Sequence, residues 1–308
     1  MVITEIVAYE ECSLLASFIA KSYSANLTLL KKSHFEDGET NLNLKKFPSF
    51  KDQQVLFVHQ FSYKNDPINN QILDLIFTLN AIKKTDTFEL NLLIPYLPYS
   101  RQEKGFSDQD LGLLQTFLMV IKSIGVNKMF VCDIHSPITL EFYKNFIYEI
   151  KLDELWIEFI SQNYLNKNDL ILASPDAGGV NRVERIAKKL NLNFVHVTKK
   201  RIGPDHPVAV KLNGTVENKT VVLIDDIIDT AQTAINACNI LLKHKALKII
   251  GCFSHGILSN NALGLIQNSN FETFVTTNSV LPVSRAESSK FFITSINDLL
   301  VKQLKSFF

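Results

Sequence analysis

Glycine is scarce in this sequence, with 11 residues among 308, and no Gly/Ser-rich linker or low-complexity tract occurs. The composition therefore predicts a compact globular protein without flexible linkers. Its four cysteines, Cys12, Cys132, Cys238 and Cys252, show neither a CxxC pair nor the spacing of a zinc site. They indicate reduced thiols and predict a cytoplasmic location.

Long hydrophobic runs and an excess of one charge are also missing. No apolar run approaches the ~20 residues that span a bilayer, so we expect no membrane partner. The N-terminus, MVITEIVAYEEC, lacks the basic region of a signal peptide. A net charge of +1 argues against nucleic acid as the main partner. With 308 residues, 46% of them hydrophobic, the chain has enough length for two domains of ordinary size.

Short apolar runs alternate with helical patterns along most of the chain. Strand-like runs occur at 54–61, 90–97, 128–134 and 169–176, and helical patterns occupy most of the intervals between them. This alternation predicts βαβ units, a mostly parallel sheet, and ligands beyond the carboxyl ends of the strands. The runs MFVCDIH and VLIDDII both end in acids, which hints at an internal duplication with a boundary near residue 150.

The segment VVLIDDIIDTAQT, residues 221–233, offers the most specific chemistry. Its apolar start predicts a buried strand ending at Ile224, and its small polar residues predict a loop before a helix from about Ala234. A helix N-terminus can bind a phosphate. The adjacent acids Asp225 and Asp226 can accept hydrogen bonds from vicinal hydroxyls or hold Mg²⁺. We interpret the segment as a ribose 5-phosphate site; the alternative is a buried strand whose acids cap the next helix.

Two further polar clusters lie before residue 105. The segment HFEDGETNLNL, residues 34–44, predicts a hairpin turn. The segment IPYLPYSRQEK, residues 94–104, ends a strand in Arg101 and Gln102. A fixed guanidinium there can form a forked contact with a phosphate, and a surface salt bridge is the alternative.

Three more clusters follow. In CDIHS, His135 is a candidate for a metal or phosphate contact, or for a simple hydrogen bond. In SPDAGG, residues 174–179, Asp176 precedes two glycines that allow a ligand to approach the backbone. The segment TKKRIGPDHP, residues 198–207, predicts a mobile cationic loop for phosphates, with a solvated cationic face as the alternative.

The order and spacing of these elements resemble one family. FEDGE, PYxxYSRQ, DIH, SPDxGGVxR, KKR, DDIIDT and TTNS follow one another as in ribose-phosphate diphosphokinases (PRPP synthetases), from about residue 30 to 285. The resemblance implies an α/β fold of two type I phosphoribosyltransferase-like domains, each a mostly parallel sheet flanked by helices. Residues 1–149 would carry the ATP elements and residues 150–308 the ribose 5-phosphate loop, and the last helix is a candidate to pack back on the N-terminal domain.

The resemblance also implies an activity and roles for individual residues. The enzyme would transfer the diphosphoryl group of ATP to C1 of ribose 5-phosphate, giving PRPP and AMP, with Mg²⁺ as cofactor, in a homo-oligomer that is a dimer or hexamer. The implied roles are catalysis for Lys199 and Arg201; ATP binding for Phe35, Asp37, Glu39, Arg101, Gln102 and His135; metal binding for His135 and Asp176; and ribose 5-phosphate binding for Asp225, Asp226, Asp229, Thr230, Ala231, Gln232 and Thr233.

Three departures from the family pattern keep a second reading open. Gln232 stands where the phosphate loop usually has glycine, and KGFSDQD, residues 104–110, replaces a basic stretch of the phosphate-activated enzymes. Lys144 and Tyr148 stand where many members have aspartates. The alternative is a catalytically weak regulatory or partner subunit of the same family. A phosphoribosyltransferase that consumes PRPP is disfavoured, because no base-binding hood can be identified and the ATP elements are present.

Overall fold

The computed structural model describes residues 3–42, 47–63, 66–102, 112–164, 169–200, 209–281 and 289–308, without the side chains of 199, 200, 209 and 210. It divides into two compact units. Unit 1 comprises Met1–Ile150, Ser279–Leu281 and Asn297–Phe308, and unit 2 comprises Lys151–Asn278 and Pro282–Ile296. The sequence predicts a break before residue 150, with the last helix as a candidate to pack back on the N-terminal domain; here Ser279–Leu281 and Asn297–Phe308 group with unit 1.

Unit 1 is built on a parallel sheet. Its strands are β1 (Glu5–Tyr9), β2 (Asn26–Leu30), β3 (Ser33–His34), β4 (Thr40–Asn41), β5 (Gln54–Val58), β6 (Glu89–Leu93), β7 (Lys128–Cys132) and β8 (Ile147–Ile150). Six of them form a sheet in the order β2-β1-β5-β6-β7-β8, in which every pair is parallel. Strands β3 and β4 form a separate antiparallel hairpin.

Helices cover this sheet and bury its apolar side chains. They are α1 (Ser13–Tyr23), α2 (Ile68–Lys83), α3 (Leu113–Ser123), α4 (Ile138–Phe142) and, from the end of the chain, α9 (Asn297–Leu304), which contacts α1 and β8. Strand β5 is an almost continuous apolar run, as expected when both faces of a parallel sheet are covered. Tyr148 packs against Phe130 and Phe307 with ring centroids 5.7 and 5.1 Å apart.

Unit 2 is built on a second, mostly parallel sheet. Its strands are β9 (Leu170–Ser174), β10 (Phe194–Lys200), β11 (Ala209–Asn213), β12 (Thr220–Ile228), β13 (Lys248–Gly256), β14 (Thr273–Thr277) and β15 (Phe291–Thr294). The order is β11-β10-β9-β12-β13-β14-β15, and within the described part of this sheet only β10 and β11 pair antiparallel. The helices are α5 (Asp153–Asn163), α6 (Val180–Leu190), α7 (Gln232–Lys243) and α8 (Ala262–Gln267).

Strand β12 is longer than its sequence predicts. The prediction ended the strand at Ile224, whereas the structure continues it through both acids to Ile228. The reason is pairing with β13, where Asp225 is opposite Phe253 and Ile227 is opposite His255. The acids therefore have a rigid strand backbone on both sides and do not begin a loop.

Candidate active site

An acidic pair lies near the carboxyl end of β12, against α6. The backbone N–H of Asp226 donates to Oδ1 of Asp225 at 3.0 Å. Nη1 of Arg182, on α6, lies 3.7 Å from Oδ1 of Asp225 and 3.6 Å from Oδ1 of Asp226. The three side chains are 10, 15 and 6% exposed, respectively. One buried cation therefore faces two carboxyl groups, of which that of Asp226 is buried and that of Asp225 is partly buried.

The surroundings of Asp225 favour its protonated form. Burial raises the pKa of Asp225 well above its usual range, the charge of Asp226 and then that of Asp176 raise it further, and Arg182 lowers it in part. Three carboxyl groups thus act on one another at the end of the sheet. Such a group is stabilised by hydroxyl donors or by a cation, which are the partners offered by a sugar diol and a divalent metal.

The SPDAGG turn brings α6 against this pair. Oδ1 of Asp176 accepts hydrogen bonds from the backbone N–H groups of Gly178 at 2.8 Å and Gly179 at 3.3 Å, so this carboxylate orders the start of α6. A Cβ at Gly179 would lie 2.5 Å from Oγ of Ser174 and 3.3 Å from Oδ1 of Asp225. Only glycine fits there. Because it has no Cβ, the first turn of α6 can approach β12, and Arg182 on that turn then lies beside Asp225 and Asp226.

The loop that follows β12 is anchored at both ends. The Ser259 hydroxyl donates to Oδ1 of Asp229. Ala231 is buried and has the left-handed conformation, with φ of 66°, immediately before α7 begins at Gln232. Thr230 and Thr233 are exposed. The loop thus leads directly to a helix N-terminus, whose N–H groups and dipole suit an anion such as a sugar phosphate.

The side chain of Gln232 lies along α7. Its Nε2 donates to Oδ1 of Asn236, one turn further on, at 2.9 Å. Asn236 lines a cavity of about 270 Å³, together with Pro175, Val197, Thr233, Ala237, Asn239, Ile240 and Lys243. This hydrogen bond therefore joins the Gln232 amide to the next turn of α7.

The segment FEDGE forms the predicted hairpin turn between β3 and β4. The backbone N–H of Phe35 donates to the carbonyl of Glu39 at 2.8 Å, and Oδ1 of Asp37 accepts from the N–H of Glu39 at 3.0 Å. Gly38 has φ of 91°, which side-chain-bearing residues rarely adopt. Phe35 is 54% exposed, and Glu36, Asp37 and Glu39 are exposed as well, so an aromatic ring and three acids lie at the surface of unit 1.

Arg101, Gln102 and His135 follow the carboxyl ends of neighbouring strands. Arg101 and Gln102 come after β6, and the N–H of Gln102 donates to the carbonyl of Tyr99 at 2.8 Å. His135 comes after the adjacent parallel strand β7. All three are exposed. Their predicted role as ATP contacts stays a prediction.

The predicted metal residues belong to different units, His135 to unit 1 and Asp176 to unit 2. Within the residues that the structure describes, no group of three or more His, Cys, Asp or Glu side chains could hold a metal ion. Mg²⁺ is usually held by one or two carboxylates together with substrate phosphates and water. One or two of the carboxyl groups of Asp176, Asp225 and Asp226 would be enough to supply that donor chemistry.

Two predicted catalytic cations are only partly covered by the structure. Lys199 lies near the end of β10, where its backbone pairs with Val210 of β11, and its side chain is outside the description. Arg201 lies outside the described residues, as does 104–110. Sequence reasoning missed Arg182 and Ser259 as partners of the acids. Arg182 belongs to the quoted motif SPDxGGVxR, but nothing in its sequence context indicates which carboxylates it faces.

Each of the two units contains a segment that matches a known protein-family model. A family model described as "N-terminal domain of ribose phosphate pyrophosphokinase" matches residues 4–114, and one described as "Phosphoribosyl transferase domain" matches residues 141–262. Ribose-phosphate pyrophosphokinase 1 from Listeria innocua is 30% identical over 266 residues, covering 86% of this chain and 82% of that protein. Ribose-phosphate pyrophosphokinase from Aquifex aeolicus is 29% identical and covers 98% of this chain and 94% of its own length.

The fold agrees with a solved structure of the same kind. The crystal structure of phosphoribosylpyrophosphate synthetase from Mycobacterium smegmatis superposes with a TM-score of 0.87 at 21% identity, covering 99% of this chain and 98% of that chain. The predicted fold class, two mostly parallel phosphoribosyltransferase-type sheets flanked by helices, is confirmed. The resemblance inferred from the sequence is confirmed as well: this chain belongs to the ribose-phosphate pyrophosphokinase family.

Proposed function

We propose that this protein is an active ribose-phosphate diphosphokinase, which transfers the diphosphoryl group of ATP to C1 of ribose 5-phosphate. The observation that carries the proposal is the acidic pair Asp225 and Asp226, which faces Arg182 directly before the loop that leads into α7. A diol clamp followed by an anion-binding helix start is the arrangement that ribose 5-phosphate requires.

The substrate is bound through its two ends. Asp225 and Asp226 accept hydrogen bonds from the vicinal ribose hydroxyls, and the N–H groups of residues 229–233 take the 5-phosphate at the N-terminus of α7. The C1 hydroxyl is then left to attack the β-phosphorus of ATP. A new C1–O–P bond forms, the bond between the β-phosphorus and the α-phosphate oxygen breaks, and AMP leaves with that oxygen while the hydroxyl proton is released.

Positioning and charge neutralisation provide most of the catalysis in such a transfer. By family resemblance, Arg101, Gln102 and His135 contact ATP, and the hairpin residues Phe35, Asp37 and Glu39 contact the adenine from a neighbouring subunit of a homo-oligomer. Lys199 and Arg201 supply positive charge to the diphosphoryl oxygens in the transition state. Two of the carboxylates of Asp176, Asp225 and Asp226 would hold Mg²⁺ together with substrate phosphates, and the ion would supply further positive charge to the diphosphoryl group when bound.

The wider setting is proposed on simpler grounds. Among the described residues, none of the helices combines the length and apolarity needed to cross a bilayer. All four cysteines are described and buried, and none forms a disulfide. Those thiols support the proposal of a cytoplasmic enzyme.

An assay of AMP release tests the activity. Purified protein is incubated with MgATP, with and without ribose 5-phosphate, and AMP and PRPP are quantified by chromatography. We expect equimolar AMP and PRPP that depend on ribose 5-phosphate, and loss of both in Asp226→Asn. A protein that binds both substrates but releases no AMP would instead be the alternative suggested by Gln232, a catalytically weak regulatory or partner subunit of the family. The hydrogen bond from Gln232 to Asn236 supports the active enzyme, because it gives the side-chain amide a partner on α7.

A further inference from the structure

The hairpin of residues 33–41 has little internal support. Strands β3 and β4 have two residues each and form two pairs, Ser33 with Asn41 and His34 with Thr40. An isolated two-stranded hairpin is at best marginally stable in water. At the tip, a Cβ on Gly38 would meet no heavy atom within 4 Å. The orientation of this hairpin therefore depends on a contact outside the hairpin itself.

Asp74 of α2 provides that contact. Its side chain is fully buried, with 0% exposure. Oδ1 accepts a hydrogen bond from the Thr40 hydroxyl at 2.7 Å and lies 3.3 Å from Nε2 of His34. Oδ2 lies 3.6 Å from Nζ of Lys32, just before β3. A single carboxylate thus reaches both strands of the hairpin and the residue that leads into it.

A buried carboxylate needs compensation, and Lys32 supplies it. Nζ of Lys32 lies 2.9 Å from Glu11 and 3.6 Å from Asp66, in addition to Asp74. Burial lowers the pKa of Lys32, but the hydrogen bond to Glu11 and the charges of Glu11, Asp74 and Asp66 raise it more, so it stays protonated. The ammonium therefore offsets the desolvation of Asp74 and fixes the approach to β3.

The hairpin does not lie flat on α2. A cavity of about 530 Å³ separates parts of the two, lined by His34, Asp37, Gly38, Glu39, Thr40, Asn70, Leu73 and Phe77. Leu73 and Phe77 are each 49% exposed, so the neighbouring surface of α2 does not seal against the hairpin. Because this cavity lies beside the hairpin, the contacts of Asp74 with Thr40 and His34 set the distance between the turn and α2.

We propose that Asp74 is a positioning residue for nucleotide binding, which holds Phe35, Asp37 and Glu39 in place through Thr40, His34 and Lys32. The proposal rests on the proposed function, since that function gives the turn its role toward the adenine of ATP. Asp74 itself touches no substrate. Its removal acts on ATP affinity and leaves the chemical step and the ribose 5-phosphate site as they are.

The test combines hydrogen exchange with kinetics on four variants. Asp74→Ala removes the link, Asp74→Asn keeps an acceptor for Thr40 without the charge, and Thr40→Val removes one hydrogen bond from the hairpin side. Thr78→Val is the matched control, because Thr78 is equally buried, one turn further along α2, and bonds the Tyr9 hydroxyl at 2.6 Å.

We expect Asp74→Ala to speed amide exchange in residues 33–41 and to raise KM for ATP, each about tenfold, the usual consequence of losing a buried hydrogen bond. The kcat and the KM for ribose 5-phosphate stay within about twofold, since the ribose site is elsewhere. Thr40→Val and Asp74→Asn change the same two quantities by less. Thr78→Val changes neither, although it lowers overall stability.

Unchanged exchange in both Asp74→Ala and Thr40→Val would overturn the proposal, as would faster exchange with an unchanged KM for ATP. If Asp74→Ala fails to fold, the proposal is tested by comparing Thr40→Val with Thr78→Val for amide exchange in residues 33–41 and for the KM for ATP. Failure of the proposed function is seen separately, as wild-type protein that releases no AMP. In that case exchange in residues 33–41 and the ATP dissociation constant from calorimetry decide the role of Asp74 without turnover.

Discussion

Nη1 of Arg182 lies 3.6 Å from Oδ1 of Asp226, and both side chains are at least 90% buried. The same nitrogen lies 3.7 Å from Asp225, so one guanidinium compensates both acids of the proposed diol clamp. The relationship joins α6 to β12 across the glycine turn at 178–179. Arg182 therefore couples the ordered N-terminus of α6 to the positions of the Asp225 and Asp226 carboxyl groups.

Replacing Arg182 by alanine is expected to lower the free energy of unfolding by ~3 kcal/mol, because two buried carboxylates lose their cation. Chemical denaturation measures this change. Arg182→Lys is expected to recover part of it. The matched control is Arg185→Ala on the same helix, whose partner Asp153 is 2.7 Å away but whose side chain is 42% exposed. That substitution should cost no more than ~1 kcal/mol, and equal losses for Arg182 and Arg185 would contradict the compensation described here.

Asp226→Asn is expected to weaken ribose 5-phosphate binding far more than ATP binding, because the clamp faces the sugar. The loss of a charged hydrogen-bond acceptor corresponds to ~1.5–3 kcal/mol. Isothermal calorimetry with each substrate separately provides the measurement. Glu217→Gln, which alters an exposed ion pair with Lys245, is the control. Equal losses for both substrates would count against the assignment of the clamp.

Lys199→Ala and Arg201→Ala are each expected to lower kcat by ~10²–10³ with modest changes in KM, because their charge acts mainly in the transition state. Steady-state kinetics with both substrates varied would measure the effects on kcat and on KM separately. Near-wild-type kcat in both variants would remove these residues from the catalytic role.

Ala231→Gly is expected to leave the free energy of unfolding within about 0.5 kcal/mol of the wild-type value. An alanine with φ of 66° is strained, and relief of ~1–2 kcal/mol is offset by the entropy that glycine adds to the unfolded chain and by ~0.8 kcal/mol for the buried methyl group that is lost. Thermal and chemical denaturation would measure the change. Ala234→Gly, within α7, is the contrasting control, because glycine there should destabilise by ~1 kcal/mol.

Inorganic phosphate is expected not to activate this enzyme. The segment 104–110 carries Asp108 and Asp110 where phosphate-activated relatives are basic. Like charges about 4 Å apart repel by ~1 kcal/mol in water and more in a partly dry interface, enough to remove a typical coupling of ~1–3 kcal/mol. We expect ADP to inhibit only in competition with ATP. Several-fold activation in a phosphate titration at saturating Mg²⁺, or ADP inhibition that ATP cannot overcome, would show the opposite.

The sheets and the loop before α7 could be predicted because their signals are local. A continuous apolar run such as Val221–Ile224 indicates a buried strand wherever it occurs. The true end of β12 could not be predicted, since Ile228 belongs to the strand only through its pairing with β13. Arg182 and Asp74 were missed for a related reason. Each is a charged residue in a helical pattern that also suits a solvated face, and its burial depends on partners distant in the chain.

The crowding of Asp176, Asp225 and Asp226 also affects how the isolated protein should be handled. Since the folded pKa of Asp225 lies above its unfolded value, folding stability falls as pH rises from the unfolded pKa toward the folded one. Above that folded pKa, ligand-free protein therefore carries a repulsion between carboxylates that a bound cation would relieve. Purification in chelating, alkaline buffer should give the least stable preparation, and mildly acidic buffer containing Mg²⁺ should extend storage life.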